Sequence, residues 1–145
     1  MSKVIKLKKG LDIKLNGEAE KVVQPAGKIT SCALKPTDFR AMTPKLAVKV
    51  GDEVKAGDVL FIDKTHPEIK FTTPVSGTIE AINRGERRKL LEVVVKADAE
   101  TRYRDFGKTE VSKLNRDEII VRLLESGVWP LIKQRPYDII PGPMS

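Results

Sequence analysis

Apolar and charged residues alternate through the middle of the chain with a period of two. The stretch 48–61 places valine or phenylalanine at alternating positions, and a second apolar run follows at 71–82. Alternation of this kind is typical of strands that bury one face. The pattern therefore predicts a compact body of short β-strands over residues 45–97.

Three glycines stand where these strands are expected to reverse direction. Gly51 and Gly57 are each followed by aspartate, and Gly77 follows a proline and a serine within the second apolar run. Glycine adopts the left-handed backbone angles that tight turns require, and aspartate can bond the backbone two residues on. We therefore expect Gly51, Gly57 and Gly77 to form structural turns.

The segments on either side of this body differ in character. Residues 3–24 alternate around Asn16-Gly17, the dipeptide preferred in two-residue hairpin turns, and predict a hairpin, with a further strand at 29–34. After a polar connector at 98–109, Asn115 can cap a helix whose apolar residues recur at helical spacing.

An apolar stretch at 128–132 follows this helix. Apolar faces of this size are normally covered by more chain or by another subunit. We therefore expect the partner surface to be supplied from outside this sequence.

The central stretch resembles the lipoyl- and biotinyl-carrier domain, a small flattened barrel called a barrel-sandwich hybrid. The carrier pattern of Gly-Asp-x-Val, Gly-x-x-Leu and Pro-x-x-Gly-x-Ile stands here at 51–54, 57–60 and 74–79. The resemblance implies a mainly β fold with a C-terminal helical segment. We expect a barrel-sandwich hybrid at 1–100, then a linker plus helical segment at 101–145 that leads to a missing downstream domain.

Carrier domains attach their cofactor to a lysine at the tip of a hairpin. Here Asp63-Lys64 comes before the expected tip, which residues 65–68 occupy. We therefore favour an ordinary solvated lysine, because a shared fold does not imply a shared site. A lipoyl- or biotinyl-type carrier domain modified on Lys64 remains the alternative function.

Charge and composition narrow the classes of partner and cofactor. The net charge of +7 admits nucleic acid, anionic lipid or an acidic protein, and the only dense cationic run is 84–89. We favour a solvated turn there over an anion site. Nucleic acid ranks below both, because aromatic residues for base stacking are few and scattered.

Single copies of cysteine and histidine restrict the cofactor chemistry further. Cys32 alone cannot form an internal disulfide or ligate an iron–sulfur cluster, and with His66 alone there is no plausible zinc cluster. No apolar run approaches the ~20 residues of a membrane-spanning helix. We therefore assign no metal ligands and no catalytic residues.

A closer resemblance is to the NqrA family, a component of the bacterial sodium-translocating NADH:quinone oxidoreductase. Its motifs run in the family's order over nearly the whole chain, at 5–12, 48–54, 63–64, 75–78, 81–85, 123–129 and 135–138. The RnfC family of the related Rnf complex shares the barrel but binds iron–sulfur clusters on cysteine clusters, so the single Cys32 argues against it.

The resemblance implies a peripheral protein on the cytoplasmic face of the bacterial inner membrane, held there only through partner subunits. The family's complex oxidises NADH, reduces ubiquinone and exports sodium ions. It carries FAD and a 2Fe-2S cluster on one of the partners and covalent FMN on two others. We therefore predict a non-catalytic N-terminal module without a cofactor, which contributes to assembly and to quinone access.

Few residues suggest chemistry of their own. No nucleotide-binding glycine motif exists, and Ser76-Gly77-Thr78 resembles the covalent-flavin threonine motif except that Gly77 stands where alanine is required, so we expect a structural turn. A quinone site needs an apolar slot with donors aimed at the carbonyls. The suitable candidates are Trp129, Arg135 and Tyr137, with Phe106. The alternative is that Trp129 and Tyr137 pack on the helix.

Overall fold

A computed structural model describes Lys6, Gly10, residues 16–25 and residues 27–143. Its elements in these ranges are β1 (Ser31–Leu34), β2 (Pro44–Leu46), β3 (Glu53–Val54), β4 (Val59–Asp63), β5 (Lys70–Thr72), β6 (Gly77–Arg84), β7 (Leu90–Ala97) and α1 (Arg116–Glu125). The strands form two antiparallel sheets, with the strand orders β1-β7-β6-β3 and β2-β4-β5. The mainly β fold with a C-terminal helix is confirmed.

The core of the barrel lies between the two sheets and is built from the residues that alternate in the sequence. Phe61 stacks on Phe71 with ring centroids 4.9 Å apart, and Phe39 meets the edge of Phe71 at 4.6 Å. Ile79 of β6 and Val93 of β7 close the core from the other sheet. Each large apolar side chain buried here contributes about 1.5–3 kcal/mol, so this alternation supplies the main driving force for the fold.

Gly51 and Gly57 lie in two turns of the same design, six residues apart in the chain. Their φ angles are +92° and +98°, in the region that favours glycine. The aspartate after each glycine accepts a hydrogen bond from the backbone N–H three residues earlier, at 2.9 Å for Asp52 and 2.7 Å for Asp58. Each aspartate therefore bonds a backbone group that precedes it in the chain, and not one that follows it as the sequence suggested.

Gly77 is not at a corner, which corrects the prediction for this residue. It is the first residue of β6 and pairs with Val54 on one side and Ala97 on the other. A Cβ atom placed on Gly77 would lie 1.9 Å from the carbonyl oxygen of Lys96. Glycine is required here because the backbone of β7 comes too close for any side chain.

The predicted N-terminal hairpin is wrong where the structure describes it. Most of its first strand lies outside the described residues. Residues 18–25 contain no strand, and the side chain of Val23 is 97% exposed. The alternating pattern of this segment therefore has no buried face, because no neighbouring strand among the described residues pairs with it.

The polar connector returns to the barrel as a strap formed by residues 98–106. The N–H of Ala56 donates to the carbonyl of Arg102, and the N–H of Arg104 donates to the carbonyl of Ala56, each at 2.9 Å. The Phe106 ring then covers Gly57, where an added Cβ would lie 3.0 Å from the ring. The strap thus pairs along the edge of the barrel and is held beside the second glycine turn.

Helix α1 begins as predicted. The side chain of Asn115 accepts from the N–H of Glu118 at 2.9 Å, and the Glu118 carboxylate accepts from the N–H of Asn115 at 2.8 Å, which is a complete capping box. The helix ends before Gly127, whose φ is +72°.

The barrel itself covers much of the apolar surface that follows the capping box. The Trp129 ring, 8% exposed, belongs to the main core, and Ile120, Leu123 and Leu124 of α1 pack against that core. The expectation that this face needs a surface from outside the sequence is therefore wrong for these residues. Leu131, by contrast, remains 73% exposed.

Candidate functional site

The hairpin between β4 and β5 is the one in which the carrier resemblance would place a modified lysine. Its tip turns at His66, whose carbonyl accepts from the N–H of Ile69 at 2.9 Å. Lys64 lies before the tip, directly after the last residue of β4, and its N–H donates to the carbonyl of Thr43 at 2.7 Å. The side chain of Lys64 is therefore exposed, while its backbone is hydrogen-bonded to the neighbouring loop.

Asp63 is a buried carboxylate at the base of this hairpin. Its side chain belongs to a residue only 5% exposed, and Oδ1 accepts from the N–H of Thr43 at 3.2 Å and of Thr65 at 3.0 Å. Buried polar groups of this kind are normally satisfied by hydrogen bonds. Asp63 thus fastens the hairpin to the loop before β2, a role that its position beside Lys64 did not suggest.

A cleft of about 270 Å³ opens beside the hairpin tip. The C-terminal loop forms its far wall, because Ile139 forms a parallel bridge with Arg40 and accepts a 2.8 Å hydrogen bond from the N–H of Gln134. The indole N–H of Trp129 donates to the carbonyl of Pro141 at 3.0 Å and so holds the same loop. We call this space the hairpin cleft.

The hairpin cleft combines apolar walls with a few hydrogen-bonding side chains. Met42 and Ile140 supply apolar surface, while Arg40, His66 and Gln134 supply polar groups. Nδ1 of His66 lies 3.4 Å from the Glu68 carboxylate, and Arg40 has no ion pair within the described ranges. Apolar walls with a few convergent donors are the usual form of a small-molecule site.

The three residues predicted for a quinone site are not brought together in this cleft. Trp129 is built into the core, Arg135 is exposed, and Tyr137 is 69% exposed. The sequence missed Gln134 of the same loop and Arg40, which do line the cleft. Both stand in irregular segments without periodicity, so only the three-dimensional fold brings them to one place.

Phe106, the remaining candidate, lies in the strap, with the Arg104 guanidinium 5.4 Å from its ring centre. Such a cation over an aromatic face is a favourable structural contact. Phe106 is thus engaged at the glycine turns and does not line the hairpin cleft.

Ser76, which belongs to the segment that resembles a flavin-attachment motif, has a structural role. Its residue is 1% exposed, and its hydroxyl donates to Oδ2 of Asp98 at 2.8 Å while accepting from the N–H of Arg102 at 2.8 Å. Nε of Arg102 also donates to Oδ2 of Asp98, at 3.1 Å. The hydrogen bond from Ser76, assisted by Arg102, lowers the pKa of Asp98 below its ordinary value of 3.8.

Neither a cluster of potential metal ligands nor a membrane-spanning helix is found in the described ranges. There, no three side chains of the metal-binding types His, Cys, Asp and Glu come together as a possible ion site. No helix in the same ranges has the length and apolarity needed to cross a membrane.

Comparison with known proteins agrees with the barrel described above. The family model of the NqrA N-terminal barrel-sandwich hybrid domain matches residues 5–98. Three similar curated proteins are each named as the A subunit of a Na(+)-translocating NADH-quinone reductase. They come from Saccharophagus degradans (38% identical over 95% of this chain), Pseudomonas aeruginosa (37% over 98%) and Vibrio vulnificus (39% over 96%).

These alignments cover 31–32% of each relative, so the chain spans about a third of the length of the curated relatives it matches. The family match accounts for the barrel, and the identity extends beyond it through the strap, the helix and most of the C-terminal loop. The relatives' names give no support to a lipoyl or biotinyl carrier. The chain belongs to the NqrA family and carries its N-terminal barrel-sandwich hybrid domain.

Proposed function

We propose that this chain is a non-catalytic module of the NqrA component of a sodium-translocating NADH:quinone reductase. The observation that carries the proposal is the 36–39% identity over nearly the whole chain to proteins named as that component. Its partners would then be the other subunits of the reductase. Its place would be peripheral, on the cytoplasmic face of the bacterial inner membrane, with membrane contact only through those partners.

A structural role fits the way the barrel uses its buried polar residues. Asp63, Thr73 and Ser76 are the buried polar residues of the described ranges, and each is engaged in hydrogen bonds that fix a turn or the strap. Groups committed in this way are not free to act as acids, bases or nucleophiles. NADH, FAD, FMN and the 2Fe-2S cluster would be held by other subunits or by further parts of NqrA.

The same proposal divides the chain into a docking domain and a connection. Residues 1–100 would be the domain that contacts other subunits, and residues 101–145 would join it to the rest of NqrA. The greater length of the relatives supports this division.

Assembly is tested by removing the barrel from NqrA in the whole complex. Deletion of residues 1–100 from a tagged NqrA, co-expressed with the other subunits, should abolish co-purification and NADH-dependent ubiquinone reduction. A complex that assembles and remains fully active without these residues would defeat the proposal.

A contribution to quinone access is the finer part of the proposal, and the hairpin cleft is the place that suits it best. Its volume of about 270 Å³ is slightly below the ~300–1,000 Å³ of ordinary ligand pockets, so it suits at most a single ring, and Arg40, His66 and Gln134 offer donors to ring carbonyls. Trp129 would act indirectly by holding Pro141 in the wall. Arg135 and Tyr137, on the same loop, would stand near its outer face.

The quinone role has a kinetic test in the assembled complex. Arg40→Gln should raise the KM for ubiquinone severalfold while leaving the KM for NADH unchanged. Lys108→Gln, which also removes one exposed cation but lies in the connector, is the matched control. If the two substitutions have equal effects, or if Arg40→Gln has none, the cleft does not contribute to quinone access.

A further inference from the structure

The turn at the tip of the β6–β7 hairpin has residues that rarely occur in its backbone conformation. The N–H of Lys89 donates to the carbonyl of Glu86 at 3.1 Å, which closes a four-residue turn around Arg87 and Arg88. Both central residues have positive φ angles, +53° for Arg87 and +62° for Arg88. These are the angles of a type I′ turn, in which Asn-Gly is the preferred pair.

Two arginines in this turn hold a strained backbone that glycine or asparagine would relieve. The surrounding structure enforces it, because the N–H of Gly85 donates to the carbonyl of Lys89 and the Arg84 guanidinium donates to the carbonyl of Arg88, both at 2.9 Å. Strain that the rest of a hairpin maintains is often associated with function. Here it places two arginine side chains at the outermost point of the hairpin.

Positive charge dominates at this tip. Arg84, Arg87, Arg88 and Lys89 are all exposed, and within the described residues no carboxylate forms an ion pair with any of them. Glu86 is the only acidic residue in the turn. Three of the four cations are arginines, whose planar guanidinium binds a carboxylate through two parallel hydrogen bonds.

A cavity of about 180 Å³, lined mainly by apolar residues, lies beside the tip of the same hairpin. Lys89 and Leu90 form its hairpin side, and Pro36, Phe39 and Met42 form the side opposite. This space admits one leucine-, methionine- or phenylalanine-sized side chain. A pocket for one apolar anchor, with arginines beside it, has the composition of a protein-binding hot spot.

We propose that the hairpin tip and this cavity together form a docking site for an acidic segment of a partner protein. Carboxylates of the segment pair with Arg87 and Arg88, and one apolar side chain between them enters the cavity. A membrane surface or a nucleic acid would satisfy the charges but would not supply a single side-chain-sized anchor. The proposal concerns this surface alone and does not depend on the role in the reductase.

The test uses the whole chain and a peptide array. Decapeptides randomised at every position are probed with the purified, labelled protein at about 0.1 M salt, where exposed charges still interact over ~10 Å. We expect the retained peptides to carry at least two carboxylates flanking one Leu, Met or Phe. An array that retains no peptide, or selects no apolar position, overturns the proposal.

Two variants examine the two halves of the site. The double substitution Arg87→Asn and Arg88→Gly installs the preferred turn pair, keeps the hairpin, and should weaken the selected peptide about tenfold, as two lost ion pairs imply. Thr37→Trp, at an exposed position on the cavity rim, should abolish the preference for the apolar residue.

The control removes the same net charge from the other end of the sheet. The control is Lys28→Gln with Lys96→Gln: Lys96 lies near the far end of β7, about 20 Å along the strand from Leu90, and Lys28 comes just before its partner strand β1 at that same end. This double substitution should leave peptide binding unchanged. An equal loss in this control would overturn the proposal, because it would show attraction to net charge alone. Tighter binding to vesicles of phosphatidylglycerol or to single-stranded RNA than to the peptide would overturn it as well.

Discussion

Gly77→Ala should be among the most damaging single-atom additions to this domain. Gly77 begins β6 between β3 and β7, where it pairs with Val54 and Ala97. A Cβ atom on it would lie 1.9 Å from the carbonyl oxygen of Lys96 and 3.1 Å from Cα of Ala97. Both of these are backbone atoms of the central strand pair, so neither can move aside as a flexible side chain would.

The magnitude follows from two separate penalties. The φ angle of +157° at Gly77 lies at the edge of the region used almost only by glycine, and placing alanine there costs about 1–3 kcal/mol. Forcing an extra carbon into a packed site costs about another 1–3 kcal/mol. The sum, roughly 4 kcal/mol, is a large share of the ~5–15 kcal/mol that stabilises an ordinary domain. For a chain of 145 residues it corresponds to a fall in Tm of roughly 10 °C.

Gly51→Ala is the matched control, because it adds the same atom to a glycine with no neighbouring obstacle. Gly51 has a φ of +92° and no heavy atom within 4 Å of the added Cβ, so only the conformational penalty of about 1–2 kcal/mol applies. Thermal unfolding and urea titration followed by circular dichroism measure both variants. A loss of stability for Gly77→Ala no greater than that for Gly51→Ala would refute the reasoning.

Three further predictions concern single features of the fold. Asp98→Asn should destabilise the domain above about pH 4, and the difference from the wild type should shrink at lower pH. The reason is that the pKa of Asp98 is lower in the folded state than in the unfolded state. The stability that Asp98 contributes is therefore present above the unfolded pKa and is lost as the pH falls through the folded pKa. Urea titrations from pH 3 to 7 measure this, and a difference that does not vary with pH contradicts it. Arg87→Asn with Arg88→Gly should raise the free energy of unfolding by about 1 kcal/mol, because asparagine and glycine tolerate the positive φ angles of these two positions. If urea titration gives an unchanged or lower free energy of unfolding, the two arginines do not strain the turn. Asn115→Ala should lower the free energy of unfolding by about 1 kcal/mol, because it removes the capping box of α1. Asn115→Ser, which can still cap the helix, should stay close to the wild type. Equal losses in the two variants would show that the cap is not responsible.

Features set by neighbouring residues were predictable from the sequence. The capping box of α1 needs only Asn115 and Glu118, and the turns at Gly51 and Gly57 need only a glycine followed by aspartate. The turn at 84–89 was likewise placed correctly between two strands. In each of these cases the interacting groups lie within a few residues, so the linear pattern contains the geometry.

Features that depend on distant segments were missed. The polar strap shows no alternation, yet it pairs with Ala56 because that edge of the barrel offers both an N–H and a carbonyl. The apolar stripe of α1 and Trp129 was visible, but periodicity does not say which surface covers it. The hairpin cleft combines Arg40 with Gln134 only because Ile139 pairs with both segments.

The structure also explains in physical terms why this barrel does not suit a carrier role. A carrier must present its lysine at a free hairpin tip, so that the attached cofactor can move between distant sites. Here Lys64 starts from a backbone position bonded to Thr43, and His66 at the tip lies beside the C-terminal loop, with its Cε1 3.7 Å from a Cβ built on Gly142. Movement of the tip would break the hydrogen bonds that Asp63 accepts from Thr43 and Thr65. These contacts tie the hairpin to the loop before β2, which fits the docking role proposed above better than it fits a carrier.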